Sequence, residues 1–207
     1  MTIRAMKMSA VRKGLLAAWL ALPIGVFAYH EGPGQDAMKL DDADVALARA
    51  AEQVAAGSWL DAVDSYDEAL GLLPEDRIAE ARRIRLERSK AAMNDQGLVD
   101  AHADFRDLVA ELNADADADP VLLADAREAF ANSQYYMTWL MRLEGRSRDE
   151  WEPEIDAARQ TYRLLAELAD QRGDAAASTR HREDLEAAIR LARMEVRDLQ
   201  GLPLPSQ

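Results

Sequence analysis

The feature that most limits the fold of this chain is its supply of strong helix formers. Alanine occupies 40 of the 207 positions, and Leu, Asp, Arg and Glu are the next commonest residues, while Val, Ile and Thr are sparse. Alanine and unbranched side chains lose little conformational freedom in a helix, whereas β-branched side chains favour strands. With 49% hydrophobic residues the chain can also bury a core. The sequence therefore predicts an all-α protein.

Charge is divided unevenly along the chain. The total of 25 basic and 38 acidic residues gives −13. Residues 1–28 hold four bases and no acid, so residues 29–207 carry 21 bases against 38 acids, or −17. A body of this charge repels phosphate backbones, which excludes nucleic acid as an expected partner. Cysteine is absent, so no disulfide and no thiolate metal site is expected.

The N-terminal segment resembles an export signal. The apolar run at 14–29 has 16 residues, whereas a membrane-spanning helix needs about 20. Pro23 and Gly25 interrupt its end, and Val26 and Ala28 place compact residues where signal peptidase requires them. The pattern predicts a signal peptide over residues 1–28, cleaved after Ala28. An uncleaved anchor in the inner membrane through residues 14–29 is the alternative, and a buried core helix is a third. The first two readings predict a periplasmic body, soluble or anchored.

The remaining chain divides into a linker, a helical domain and a tail. Residues 29–40 are predicted to be a flexible linker, residues 41–200 a helical domain, and residues 201–207 an extended, proline-containing tail. The tail could pack back on the last helix, fray or dock on another protein. Glycine, proline and capping residues delimit seven helices in the domain. The first five are expected at about 41–56, 58–73, 76–95, 98–112 and 120–144. The sixth is expected to begin between residues 147 and 153 and to end at 172, and the seventh to cover 175–200.

An alanine followed four residues later by an aromatic recurs along the domain. A small residue lets the neighbouring helix approach, and an aromatic one turn later fills the space beside it. The three copies, of which the second follows the first by thirty-nine residues, are Ala62 with Tyr66, Ala101 with Phe105, and Ala158 with Tyr162.

Residues 57–74 resemble the second half of a tetratricopeptide repeat (TPR), with alanine, aromatic and proline at the intervals of that family. The first half departs from the pattern, and the second copy has Gln96 in place of glycine. The residues that stand where Trp, Leu, Gly and Tyr are expected are Ala46, Arg49, Ala50 and Gln53. Residues 120–207 are also similar to the tails of small bacterial envelope proteins described only as repeat-containing. The resemblance implies an irregular antiparallel helix-pair solenoid. A non-repetitive helical bundle is the alternative.

The third expected helix carries the densest basic cluster. Arg83, Glu87, Lys90 and Asn94 lie on one helical face, at steps of four, three and four. In the resembled family the first helix of each pair lines the concave, ligand-binding side. The resemblance therefore implies that this face could hold a peptide carboxylate. An ordinary solvated face with weak ion pairs is the alternative.

The fifth expected helix is apolar almost all round between residues 135 and 143. Such a helix is normally surrounded by others. The alternative is a groove for a partner helix or apolar peptide, formed by Tyr135, Tyr136 and Trp139. This alternative predicts that at least two of the three remain exposed.

The sequence contains no complete metal-binding or catalytic motif. Asp115, Asp117 and Asp119 suggest the start of a calcium loop, but the glycine and glutamate of an EF-hand are missing, so a solvated acidic loop is expected. His102 and His181, like His30, lie far apart and are expected at the surface. No metal ligand, cofactor or catalytic residue is therefore predicted.

The function predicted from these patterns is a non-enzymatic protein–protein interaction module of the bacterial cell envelope. Its expected partners are other envelope proteins or peptides. Two alternatives are a structural subunit buried permanently in a membrane-associated complex through its fifth helix, and a periplasmic enzyme that uses unmatched carboxylates.

Overall fold

The computed structural model of the protein describes residues 33–199, with side chains from Met38 onward. Within this range there are eight α-helices and no strand, which confirms the all-α prediction. The helices are α1 (Pro33–Ala55), α2 (Trp59–Leu72), α3 (Ile78–Asn94), α4 (Leu98–Ala114), α5 (Pro120–Leu143), α6 (Arg148–Arg172), α7 (Ala175–Arg193) and α8 (Val196–Leu199). The predicted signal or anchor and the predicted tail lie outside the described residues.

Helix α1 is longer than the sequence pattern indicates. It begins at Pro33 rather than near Asp41, so the prediction of a flexible linker is wrong for residues 33–40. Proline is compatible with the first turn of a helix, where its missing N–H has no intrahelical acceptor to bind. Residues 29–32 lie outside the described range. None of the helices between residues 33 and 199 is long and apolar enough to cross a membrane.

The helices stack in the order of the chain. Each of α1 to α6 packs against the next, α3 also contacts α5, two helices further on, and the short α8 contacts α5. These contacts, with short turns between long helices, form the antiparallel helix-pair solenoid that the sequence predicts. Odd-numbered helices thus lie on one side of the stack and even-numbered helices on the other.

Three clusters of buried residues form the core, and each contains one copy of the alanine–aromatic pair. Ala62 and Tyr66 lie in the first cluster, between α1, α2 and α3. The second cluster joins α3, α4 and α5, and the third joins α5 to α8. The corresponding pairs are Ala101 with Phe105 and Ala158 with Tyr162. All three alanines have an accessibility of 0%, so each lets a neighbouring helix approach closely.

The turn between α3 and α4 shows why a glycine is expected there. Gln96, which stands where the resembled repeat has glycine, has a φ of 76°, in the left-handed region that favours glycine. At the next position, a Cβ on Gly97 would lie 2.8 Å from the carbonyl oxygen of Ala92. Gly97 is therefore required by close approach, and Gln96 holds a strained backbone.

Side chains cap the N-termini of some of the described helices and not of others. The side chain of Asp119 accepts a hydrogen bond from the N–H of Val121 at 2.9 Å, and Asp174 caps α7. Ser58 precedes α2 as expected, but its side chain makes no capping bond in the described structure. The sequence Ser58–Asp61 resembles the start of a capping box, but that box is not formed at α2.

The last predicted helix is divided in two. Helix α7 ends at Arg193, Met194 is extended, and the short α8 follows, whereas the sequence predicts one helix to residue 200. Within α8, Val196 is exposed, while Leu199 is buried. The break coincides with hydrogen bonds from the Arg142 guanidinium to the carbonyl oxygens of Leu191 and Met194.

Candidate functional site

A cavity of about 410 Å³ opens between α3, α5 and α7. All of its lining residues come from these three odd-numbered helices, so it lies on one side of the solenoid. We call it the central cavity. Its polar lining includes Lys90, Asn94, Asp125, Glu128, Arg180 and Asp184.

At one wall of the central cavity, two carboxylates flank a buried histidine. The Nε2 atom of His181 lies 3.9 Å from a carboxylate oxygen of Glu128, and its Nδ1 atom lies 4.0 Å from a carboxylate oxygen of Asp184. One potential ligand atom from each residue lies within 4.8 Å of the other two. We call Glu128, His181 and Asp184 the acid–histidine cluster.

Burial and like charge change the acidity of this cluster. The pKa of Asp184 is raised to about 6, first by burial and then by the neighbouring charge of Glu128. Burial also lowers the pKa of His181, and the attraction of Glu128 offsets only part of that effect. Arg180 lies 3.6 Å from the other carboxylate oxygen of Glu128. Burial therefore favours the neutral forms of both the Asp184 carboxyl and the His181 imidazole.

The histidine expectation is wrong for the two histidines that the structure describes. His181 has an accessibility of 3% and His102 of 9%, whereas both were expected at the surface. His102 lies between α4, α5 and α6, where its Nδ1 is 3.1 Å from the hydroxyl of Ser133. His30 lies outside the described residues.

The structure separates the predicted basic face into two parts. Lys90 and Asn94 line the central cavity. Arg83 lines a second cavity of about 440 Å³ between α1 and α3, which we call the N-terminal cavity. Both cavities lie on the odd-helix side, so Arg83, Lys90 and Asn94 share this side of the solenoid.

The cations of this face are already paired. The Arg83 guanidinium donates to Asp119 at 2.8 Å, and the Lys90 ammonium donates to Glu87 at 2.7 Å. The side-chain amide of Asn94 donates to the carbonyl oxygen of Lys90. A clamp for a peptide carboxylate therefore needs two ion pairs to open. The ion pairs that were expected as the alternative to a clamp are present on this face.

The basic residues of α3 outside this face pair with α4. Arg82 and Arg85 both donate to Glu111, and the pKa of that carboxyl is lowered mainly by its hydrogen bond to Arg82. Asp115, in the loop expected to be acidic and solvated, accepts from Arg82 and from its own loop backbone. These carboxylates thus have structural partners.

The three aromatic candidates on α5 contribute mostly to the core. Tyr135 is buried, and its ring meets that of Tyr136 edge to face at a centroid distance of 5.6 Å. Tyr136 and Trp139 are half-buried and pack against the third core cluster. None of the three is therefore exposed, and the prediction that at least two of them stay exposed is wrong. Of the three, Tyr136 also lines the central cavity.

No protein-family model matches the chain, and no curated protein matches it.

Sequence patterns did not single out the acid–histidine cluster. His181 and Asp184 are three residues apart on α7 and share a helical face, which is a weak signal of a joint site. Glu128 lies on α5, and no spacing in the sequence connects it to α7. The carboxylates are so numerous that this one does not stand out.

Proposed function

We propose that the protein is a non-enzymatic protein-interaction module of the bacterial cell envelope. Its odd-helix side would bind an extended segment of another envelope protein or a peptide. The observation that carries the proposal is the pair of cavities on this side, both bordered by α3. The export-like leader at residues 1–28 supports a periplasmic location.

The two cavities differ in chemistry. The N-terminal cavity has an apolar wall formed by Leu40, Leu47, Leu73 and Ile84. The central cavity has three carboxylates against two cations, and both cations are paired within the chain. A segment with an apolar side chain and a neighbouring basic side chain would complement both. This favours a basic partner segment over the peptide carboxylate expected from the sequence.

A preformed surface makes such binding efficient. The helices that border the cavities are fixed by the three core clusters, so binding requires little ordering of this chain. The same rigidity supports an adaptor more than a permanently buried subunit. The aromatic residues of α5, which suggested such a subunit, already have neighbours within the chain.

Site-specific photocrosslinking in the native envelope tests this proposal. A photoreactive phenylalanine analogue is placed at Lys90 or Tyr136 in the central cavity, and at Arg106 or Arg163 on even-numbered helices as controls. We expect one common partner from positions 90 and 136 and no such product from 106 and 163. Equal products from all four positions, or none from the cavity positions, would contradict the proposal.

Charge reversal distinguishes a basic segment from a carboxylate as the bound group. Asp125 is exposed in the central cavity, so Asp125→Lys removes negative charge without disturbing the core. We expect this variant to reduce partner capture at least fivefold, while Lys90→Glu leaves it unchanged or increases it. If Lys90→Glu loses partner capture and Asp125→Lys does not, the bound group is a carboxylate and the basic-segment proposal is wrong.

A further inference from the structure

We propose that the acid–histidine cluster binds a divalent transition-metal cation, with Zn²⁺ as the best fit. Two carboxylate oxygens and one imidazole nitrogen converge from α5 and α7 at the edge of the central cavity. This mixed donor set suits Zn²⁺, whereas Ca²⁺ and Mg²⁺ prefer oxygen atoms alone.

The spacing of the donors is close to what a cation requires. Zinc bonds of about 2.1 Å in tetrahedral geometry place the donor atoms about 3.4 Å apart. In the cluster, the Nδ1 atom of His181 lies 4.0 Å from the Asp184 oxygen, and the other ring nitrogen, Nε2, lies 3.9 Å from the Glu128 oxygen. One potential ligand atom from each of the three residues lies within 4.8 Å of the other two. These gaps are too long for hydrogen bonds but need only about 1 Å of side-chain movement to enclose an ion. Glu128, on a flexible stem and partly exposed, can supply that movement.

Unsatisfied polar atoms give an independent reason to expect a ligand. Only 3% of the surface of His181 is accessible to solvent, and its Nδ1 atom makes no hydrogen bond to any described residue. Within the same part of the chain, the buried Oδ1 atom of Asn94, a residue lining the central cavity, also has no donor. Buried polar atoms normally have partners because leaving them unpaired costs free energy. A bound cation would give the Nδ1 atom of His181 the partner that it lacks.

Charge also favours a cation at this position. Two carboxylates close together repel each other, and one Arg180 contact at 3.6 Å compensates only part of their charge. Because three protein donors leave at least one zinc position open, the ion would face the central cavity with a replaceable ligand. The cluster would then be a metal-binding site accessible from solvent.

Zinc titration of the full-length, untagged protein tests the proposal. After chelator treatment and dialysis, Zn²⁺ alone is titrated calorimetrically, and thermal unfolding is followed with and without the ion. We expect one ion per chain and an increase in Tm. Cobalt should give a visible absorption band that Zn²⁺ displaces, and Ca²⁺ should bind at least tenfold more weakly.

Variants assign the binding to the cluster. Asp184→Asn and Glu128→Gln should each weaken Zn²⁺ binding at least tenfold, with unchanged helical circular dichroism. Asp125→Asn is the matched control, because it removes a carboxylate of the same cavity outside the cluster, and it should bind like the wild type. If Asp184→Asn fails to fold, Glu128→Gln, on another helix, decides the matter. No stoichiometric binding by the wild type, or equal loss in Asp125→Asn and the cluster variants, would overturn the proposal.

Discussion

The guanidinium of Arg142 lies over the indole ring of Trp151, with 4.8 Å between its central carbon and the ring centroid. The same guanidinium donates to the carbonyl oxygens of Leu191 and Met194 at the end of α7. Burial lowers the pKa of Arg142 from its ordinary value, but an arginine remains charged at neutral pH. One buried cation therefore joins α5, the start of α6 and the C-terminal end of α7, where the helix dipole favours positive charge.

Replacing Arg142 by methionine should destabilise the protein by about 2–4 kcal/mol. The change leaves two terminal carbonyl groups without their donor and removes the cation–π contact. Arg142→Lys should destabilise the protein by part of this amount, because one ammonium group cannot reproduce the planar guanidinium that donates to two carbonyl oxygens. Urea unfolding followed by circular dichroism measures the effect. Arg146→Met, at an exposed position, should remain within about 0.5 kcal/mol of the wild type, and an equal change in both variants would refute the proposed role.

The alanines of the three core pairs should tolerate no larger side chain. Ala101 has an accessibility of 0% and lies against Phe105 and its neighbours in the second cluster. Ala101→Leu should therefore destabilise by about 1–3 kcal/mol through overpacking. Ala110→Leu, on the exposed face of the same helix, should change stability by less than about 0.5 kcal/mol. Similar midpoints of urea unfolding for the two variants would show that close helix approach at Ala101 is not required.

The turn after α3 offers a stabilising substitution. Gln96 is exposed and has a positive φ, so Gln96→Gly should relieve backbone strain and raise the free energy of unfolding by about 0.5–1 kcal/mol. Gly97→Ala should instead destabilise, because its Cβ would meet the backbone of Ala92. Thermal unfolding of both variants against the wild type checks the pair. A lower Tm for Gln96→Gly would mean that its side chain contributes more than the strain costs.

Local spacing made the framework of this fold predictable. Glycine, proline and capping residues mark most helix ends, and the four-residue step from Ala62 to Tyr66 identifies a buried face without knowledge of its partner helix. The exceptions have tertiary causes. The break after α7 coincides with the bonds from Arg142, a residue 49 positions before Leu191. The spacing of residues within α7 does not reveal that contact.

The candidate site depends on contacts that spacing does not encode. The common face of Lys90 and Asn94 was predictable from the helix, but the pairing of Arg83 with Asp119 brings together residues 36 positions apart. Glu128 and His181 meet only because α5 and α7 present particular faces across the cavity. The rotation of one helix against another follows from the whole set of packed side chains. Sequence periodicity therefore identifies a buried face more reliably than a polar cluster.

Stability should fall in mildly acidic solution partly through His102. Its Nδ1 faces the hydroxyl of Ser133, which itself donates to the carbonyl oxygen of Phe130, so the histidine must be the donor in their contact. Its Nε2 lies 3.8 Å from Glu154 of α6, while Arg106 of α4 opposes its protonation.

Burial exceeds the attraction of Glu154 and lowers the pKa of His102 below its ordinary value of 6.5 in the folded protein. Between that ordinary value and the lower folded one, the unfolded chain binds more protons, so the stability contributed by neutral His102 is lost as pH falls. His102→Gln removes this titration. The stability advantage of the wild type over His102→Gln should thus be larger at pH 8 than at pH 5, as measured by urea unfolding at both values. An advantage that grows at pH 5 would instead show that Glu154 holds a charged imidazole in the folded protein.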